Sequence, residues 1–296
     1  MTATPVPPEG GYFSEENSAE VVLSRTAETA DERLRAVMAS AVRHLHAFAK
    51  EVEPTNAEWL TALDFLTKTG QICSDWRQEW ILLSDVLGVS MLVDAINNRK
   101  PSGATETTVL GPFHVSDAPR LPNGADICLD GKGLRLLVTG RVTDTAGRPI
   151  AGALLDVWQA NDEGFYDVQQ KGVQPDMNLR GIFTTDAEGR YWFRSAKPRY
   201  YPIPDDGPVG HLLKALGRHP YRPAHLHFIV SAEGFQPIVT HIFTPDCPYL
   251  HSDAVFGVKQ SLVADFKTVD DENRAAELGF PNPFAAVAWD FALAPA

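Results

Sequence analysis

Arg222-Pro223-Ala224-His225-Leu226-His227-Phe228 is the stretch from which the fold is read. In an extended strand, residues two apart point to the same face. A strand here therefore presents the imidazoles of His225 and His227 to one point in space. Imidazole pairs of this kind suit a transition metal, although a bare His-x-His is common in strands and is a weak sign alone. Two tyrosines upstream add weight. Tyr166 follows the turn Asp162-Glu163-Gly164-Phe165 at the end of an apolar run. Tyr201 stands in the proline-stiffened segment Tyr200-Tyr201-Pro202-Ile203-Pro204-Asp205-Asp206-Gly207-Pro208. Prolines fix φ and lower the entropy of a loop, so such a loop can hold one side chain in place, as ligation requires. Taken singly, each tyrosine also reads as a packed aromatic with a satisfied hydroxyl.

Outward from this stretch the chain shows two textures. From 111 onward, short apolar runs alternate with Gly, Pro, Asp and Asn. Segments 134–142, 153–159, 189–195, 224–231 and 238–244 read as strands, with turns at 144–149 and 185–189. Many short strands of this kind indicate a β-sandwich or barrel. Before it, 18–98 is helical in pattern. Within 27–52, Leu34, Val37, Met38, Ala41, Leu45 and Phe48 recur at spacings of three and four. Thr55-Asn56-Ala57-Glu58 reads as a helix entry capped by Thr55 or Asn56, opening a second helix through Leu60, Leu63, Phe65 and Leu66 to Gly70. A third takes in Ile72, Trp76, Trp80 and Leu83, and a fourth covers 91–96. Residues 100–104 form the junction. The expectation is a mainly β protein: an all-helical N-terminal domain over 1–105, then a β-sandwich over 106–296. The Pro- and Ala-rich tail, 281–296, is expected to wrap the surface. No solenoid repeat is present.

The 296 residues are 44% hydrophobic and 22% charged, an ordinary globular balance. No apolar run reaches the ~18 residues of a membrane span. Residues 1–11 lack the basic start and apolar segment of a secretory signal. Cys73, Cys128 and Cys247 are odd in number and far apart, which suggests reduced thiols in a cytoplasmic protein. A formal charge of −12 argues against a nucleic-acid partner, which would need clustered Lys and Arg.

Four stretches together resemble the intradiol ring-cleaving dioxygenases of the catechol 1,2-dioxygenase type, over about residues 20–280. They are Leu110-Gly111-Pro112-Phe113, the run 152–158 followed by Gly164-Phe165-Tyr166, the Tyr201 loop, and Gly217-Arg218-His219-Pro220-Tyr221-Arg222-Pro223-Ala224-His225-Leu226-His227. The resemblance implies one non-haem Fe(III) per subunit, held by Tyr166, Tyr201, His225 and His227 with a bound hydroxide. Oxygen donors suit this hard cation, and coordination favours the phenolate of a group whose free pKa is about 10. The resemblance further implies that an ortho-diphenol binds through both oxygens and that Tyr201 takes one of its protons and swings away. The metal then acts as a Lewis acid that makes the ring reactive toward O2. Arg222 would lie over the ring and stabilise its developing charge; the plainer reading of Arg222 is a structural ion pair.

The Tyr201 loop, His241 and the segment 80–88 are most similar to the branch of the family that cleaves hydroxyquinol (benzene-1,2,4-triol). His241 stands where catechol-cleaving members usually carry Gln. By resemblance the pocket is lined by Leu82, Asp85, Val109, Leu110, Gly111, Pro112, Phe113, Ile203, Pro204, Arg222, His241 and Val255, most of which read equally as core. A carboxylate at Asp85 would accept a hydrogen bond from the third hydroxyl, and such a site can reject the analogue without it. Asp85 also reads as a solvated helix position. The implied product is 3-hydroxy-cis,cis-muconate, which tautomerises to maleylacetate, in aromatic degradation. The implied assembly is a homodimer through the N-terminal helices, around a channel that holds phospholipid. Alternatives are the same chemistry on catechol or a chlorocatechol, a β-sandwich binding domain without catalysis, and a zinc hydrolase.

Overall fold

The computed structural model describes residues 11–74 and 77–296. The N-terminal residues read above as lacking a signal lie, up to residue 10, outside them, as does Trp76 of the expected third helix. The chain divides into two compact units, one ending at Lys68 and the other starting at Thr69.

The first unit holds α1 (Ser18–Ser24), α2 (Glu32–Val52) and most of α3 (Asn56–Gln71). Helix α2 starts at Glu32 rather than at 27 because the Asp31 carboxylate accepts the Leu34 N–H at 2.9 Å, a side-chain N-cap. It ends where Glu53 turns left-handed, at φ 44°. Helix α3 opens with a reciprocal cap. The Glu58 N–H donates to Thr55 Oγ1 at 3.3 Å, and the Glu58 carboxylate accepts the Thr55 N–H at 2.8 Å. The apolar stripe of α2 is exposed in this chain, with Leu45 at 65% and Phe48 at 62%.

The second unit opens with α4 (Glu79–Val86) and α5 (Val89–Asn97). The expected third helix is shorter than its apolar pattern suggested, and Ile72 lies outside it. At Ser74 the N–H donates to the Arg77 carbonyl and the hydroxyl accepts the Arg77 N–H, so a local turn competes with the helix.

Two sheets follow. One is antiparallel, in the order β3 (Arg180–Thr184), β2 (Leu154–Trp158), β7 (His225–Ser231), β8 (Ile238–Phe243). The other centres on β1 (Arg135–Asp144), flanked on one side by antiparallel β4 (Arg190–Ala196). On its other side run β10 (Phe284–Ala288) and β11 (Phe291–Leu293), both parallel to it, with β9 (Lys267–Val269) outside β10. A short ribbon pairs β5 (Tyr201–Pro202) with β6 (Tyr221–Arg222). Helix α6 (Pro208–Ala215) follows β5, and α7 (Glu272–Leu278) follows β9.

The core fills the space between the two sheets. Leu155, Val157, Phe183, Leu226, Phe228 and Val230 meet Leu136, Val138, Phe193, Val287, Phe291 and Leu293. Strict alternation therefore puts Leu226, Phe228 and Val230 into the core and turns His225 and His227 to the opposite face of the sheet.

The tail corrects the expectation of a surface wrap. It supplies β10 and β11, and Phe284, Val287, Phe291 and Leu293 are each no more than 2% exposed. Pro281 and Pro283 precede β10 and Pro295 follows β11, so none of them removes a ladder hydrogen bond from either strand. Phe291 stacks on Tyr191 at a centroid distance of 5.9 Å and meets Phe228 at 4.9 Å with the rings tilted by 56°. Phe291→Ala is expected to cost about 3–5 kcal/mol of stability, from lost burial and a residual cavity. Urea unfolding of the variant beside the parent chain measures it.

Candidate metal centre

The outer face of the antiparallel sheet carries the centre. His225 and His227 lie on β7, and register places Trp158 and His241 opposite His227 on the two neighbouring strands. The His225 Nδ1–H donates to the Pro223 carbonyl at 2.6 Å. That bond fixes the tautomer and leaves the Nε2 lone pair free. His225 Nε2 lies 3.0 Å from His227 Nε2, which lies 2.8 Å from the Tyr166 hydroxyl. The Tyr166 hydroxyl in turn donates to that of Tyr201 at 3.2 Å. Tyr166 comes from the turn after β2 and Tyr201 from β5. All four side chains are at most 4% exposed. The sequence-expected ligand set is thus brought together in space.

Burial sets the protonation. It pushes the Tyr166 phenol well above its usual value, and the neighbouring Tyr201 adds to this. It pushes His225 well below the ordinary imidazole range, helped by the positive Arg222. His227 shifts the same way, through burial and then the histidines beside it. Two phenol oxygens and two imidazole nitrogens, dry and 2.8–3.2 Å from their neighbours, fit a hard, highly charged cation that would stabilise phenolates where water cannot.

His241 is fully buried, and one nitrogen from each of His225, His227 and His241 lies within 4.8 Å of the others. A three-histidine site is nevertheless a poor fit. The His241 ring stacks on His225 at 4.6 Å with an interplanar angle of 18°. Lone pairs lie in the ring planes, so those of a stacked pair run side by side instead of converging. Burial, then His225 and Arg222, hold His241 well below the usual imidazole pKa against the opposite pull of the Val109 backbone. Its ring packs against both His225 and His227.

Aromatic rings brace the donors. Trp158 stacks on His227 at 4.5 Å and Phe113 on Tyr166 at 4.6 Å. Gly111 has φ +78°, and a Cβ there would sit 3.1 Å from His227 Cε1. Only glycine combines that backbone with so close an approach.

Arg222 on β6 pairs directly with Tyr201 across the ribbon. Burial works against its charge, yet Asp253 and the two nearby phenols hold it above the ordinary guanidinium range. Its Nε and Nη2 donate to Asp253 Oδ1 and Oδ2 at 3.3 and 3.4 Å. Asp85 and Leu82 share one face of α4 and are half-buried. Burial raises the Asp85 pKa; the Ser90 hydroxyl and then Arg222 oppose this, and Asp253 reinforces it. Asp85 is therefore within electrostatic reach of the Arg222–Asp253 pair. Val255 and Ile203 are buried, Val109 is half-buried, and Leu110, Pro112 and Pro204 are exposed. No hydrogen bond or ring contact ties Leu82, Leu110, Pro112, Ile203 or Pro204 to the four donors among the described residues.

Sequence reasoning passed over Trp158, Asp253 and Glu79. The buried Glu79 carboxylate accepts the Val209 N–H at 3.1 Å, at the start of α6, and binds Arg77 at 3.1 Å. Arg77 also reaches Asp206 at 2.8 Å, so this clamp ties α4 to the Tyr201 loop. None of the three carries a local motif; only strand register and tertiary packing reveal them.

A protein-family model described as Dioxygenase matches residues 111–295, and one described as Catechol dioxygenase N terminus matches 31–105. Hydroxyquinol 1,2-dioxygenase of Rhizobium sp. (strain MTP-10005) is 69% identical over 97% of both chains. The crystal structure of hydroxyquinol 1,2-dioxygenase from Pseudomonas putida DLL-E4 superposes with a TM-score of 0.90 at 46% identity, covering 95% of this chain and 99% of that one. Catechol 1,2-dioxygenase of Acinetobacter radioresistens gives a TM-score of 0.84 at 30% identity, covering 96% and 94%.

Gly111→Ala tests the packing of the centre. It is expected to cost about 1–2 kcal/mol through the left-handed backbone alone and to loosen metal retention by displacing His227. Denaturation curves, and metal content after dialysis against a chelator, read the two effects.

Proposed function

The chain belongs to the intradiol ring-cleavage dioxygenase family, and on that premise we propose that it cleaves hydroxyquinol with O2 between the two adjacent hydroxylated carbons. The product is 3-hydroxy-cis,cis-muconate, which tautomerises to maleylacetate. The convergence of Tyr166, Tyr201, His225 and His227 carries this reading, and the 69% identity to a hydroxyquinol 1,2-dioxygenase supports the substrate.

The four donors would hold Fe(III). When bound, that ion supplies Lewis acidity that favours the deprotonated diphenol and makes its ring reactive toward O2. The protein does the rest. Tyr201, a phenolate when it holds the ion, would accept one substrate proton at that oxygen and, as a neutral phenol, move aside. Tyr166, stacked on Phe113 and bonded to His227, stays in place. Arg222 faces the negative charge that builds on the ring, as a fixed positive group in a dry site. Asp85 accepts the third hydroxyl of the substrate. Val109, Gly111, Phe113, Val255 and Ile203 form apolar walls, with Leu82, Leu110, Pro112 and Pro204 toward the mouth and His241 behind the ligands.

Residues 1–105 serve as the helical dimerisation and linker domain and 106–296 as the catalytic domain, divided as the two family models are. Helices α4 and α5 nonetheless fold in the same compact unit as the sandwich. The exposed apolar face of α2 suits a second copy of the chain, with phospholipid filling the channel between the helices. Among the described residues no helix is long and apolar enough to cross a membrane. The three free cysteines support a cytoplasmic setting.

The purified protein is expected to contain one iron per chain and to show a visible band that shifts when hydroxyquinol is added without oxygen. Admitting O2 then yields the ring-opened acid. A colourless, iron-free protein that leaves hydroxyquinol intact sinks the proposal. For the substrate, Asp85→Ala is expected to lower kcat/KM for hydroxyquinol relative to catechol by about tenfold or more, the worth of one charge-assisted hydrogen bond. An unchanged preference removes Asp85 from substrate choice and leaves catechol as an equal candidate.

A further inference from the structure

We propose that Asp253 is the positioning residue of this centre: its carboxylate fixes one edge of the Arg222 guanidinium and, through the same loop, the Val255 wall. The proposal rests on the role given to Arg222 above.

The pair is buried, with side chains 3% and 2% exposed. Burying two charges is costly, and well-packed apolar residues often serve stability as well. The contacts point to placement rather than to a tight ion pair. At 3.3 and 3.4 Å they are longer than the ~2.7–2.9 Å of strong charge-assisted bonds. The carboxylate is held more closely by its own loop, accepting the Gly257 N–H at 2.9 Å and the Val255 N–H at 3.2 Å. Asp253 thus belongs to the loop, and Arg222 leans on it through Nε and Nη2. Nη1 has no hydrogen-bond partner among the described residues and is free to face negative charge on a substrate.

The loop itself is pinned. The Ala254 N–H donates to the Tyr221 carbonyl at 3.1 Å, next to Arg222 in sequence. Arg218 donates to the Ala254 carbonyl at 2.9 Å and to the Val86 carbonyl of α4 at 2.6 Å, and its guanidinium covers the Phe256 ring at 4.9 Å. Phe256 sits at φ 60°, a left-handed conformation that a bulky residue adopts only when its surroundings enforce it. The Thr108 hydroxyl donates to the Gly257 carbonyl at 2.9 Å. A Cβ on Gly257 would lie 2.9 Å from Arg222 Nη2 and 3.1 Å from Asp253 Oδ2. The slot leaves the guanidinium almost no lateral play.

Asp253→Asn and Gly257→Ala test this in iron-loaded protein. An amide at 253 can accept from only one of the two edges it now serves. Gly257→Ala keeps every charge, needs no left-handed backbone, and pushes most closely on the guanidinium, then on Asp253 Oδ2 and the Thr108 hydroxyl 3.2 Å away, so it wedges the Arg222–Asp253 contact itself. Asp253→Asn is expected to lower kcat per bound iron by about 100-fold and Gly257→Ala by about tenfold. KM should stay within a few-fold, and the visible band and its anaerobic shift should match the parent chain because the four donors are untouched. If either folded variant keeps kcat per iron within about twofold of the parent, with losses only in melting temperature or iron content, Asp253 is structural and the proposal falls. Should Asp253→Asn fail to fold, Gly257→Ala decides alone. Failure of the functional reading would show separately, as a parent protein without iron or ring opening.

Discussion

Four polar atoms with too few protons among them, crowded into a space that water does not reach, are the constraint on which this structure depends. In water the phenols of Tyr166 and Tyr201 and the imidazoles of His225 and His227 would repel no one and attract little. Buried 2.8–3.2 Å from one another, they are a set of lone pairs whose strongest available partner is a cation. Each neighbouring feature serves that crowding: the Pro223 carbonyl that fixes a tautomer, the rings that clamp from either side, and the glycine that lets a backbone come within touching distance of an imidazole.

The fold divides the four donor side chains by the structure that holds them. The histidines stand on β7, a strand paired on both sides in the middle of a sheet, whose other face is the core. Moving either ring means disturbing Leu226 and Phe228. The tyrosines come from connecting segments. Tyr166 is braced by Phe113 and His227, whereas Tyr201 lies on a two-residue strand outside both large sheets. A mechanism in which one ligand leaves and the other three stay suits that arrangement, because the one asked to leave is held by the least sheet structure.

Features with a short repeat were legible in the sequence. Alternation around His225 and His227 gave the strand and its two faces, and the Thr55–Glu58 spacing gave a helix start to within one residue, Thr55 or Asn56, of which the structure uses Thr55. The ligand set and the pocket came from resemblance over several separated motifs, not from any one spacing. What escaped notice is non-local. The tail resembled a surface wrap because Pro281 and Pro283 dominate its composition, while Phe284, Val287, Phe291 and Leu293 show their purpose only against β1 and the opposing sheet. Glu79 looks like an exposed acid on a helix until α6 places an N–H on it. Asp253 looks like a turn residue until β6 brings Arg222 alongside. His241 read as a pocket position; its full burial and its stacking on His225 appear only once β8 is laid beside β7.

On the proposed reading, discrimination among diphenols follows from the same desolvation that shapes the metal centre. Burial already makes the charged form of Asp85 uncomfortable; the Ser90 hydroxyl and then Arg222 offset this only in part, and the like charge of Asp253 works against them. A carboxyl in that state gains more from a donated hydroxyl than an exposed one would, since less water competes for it. A diphenol without the third hydroxyl leaves the acceptor desolvated with only the Ser90 hydroxyl to match it, and the penalty falls on the enzyme–substrate complex rather than on the free protein. Selectivity thus does not require a tighter cavity. It requires a polar atom dry enough that a hydroxyl donated by the substrate adds to what the Ser90 hydroxyl supplies, which is the condition the half-buried face of α4 maintains.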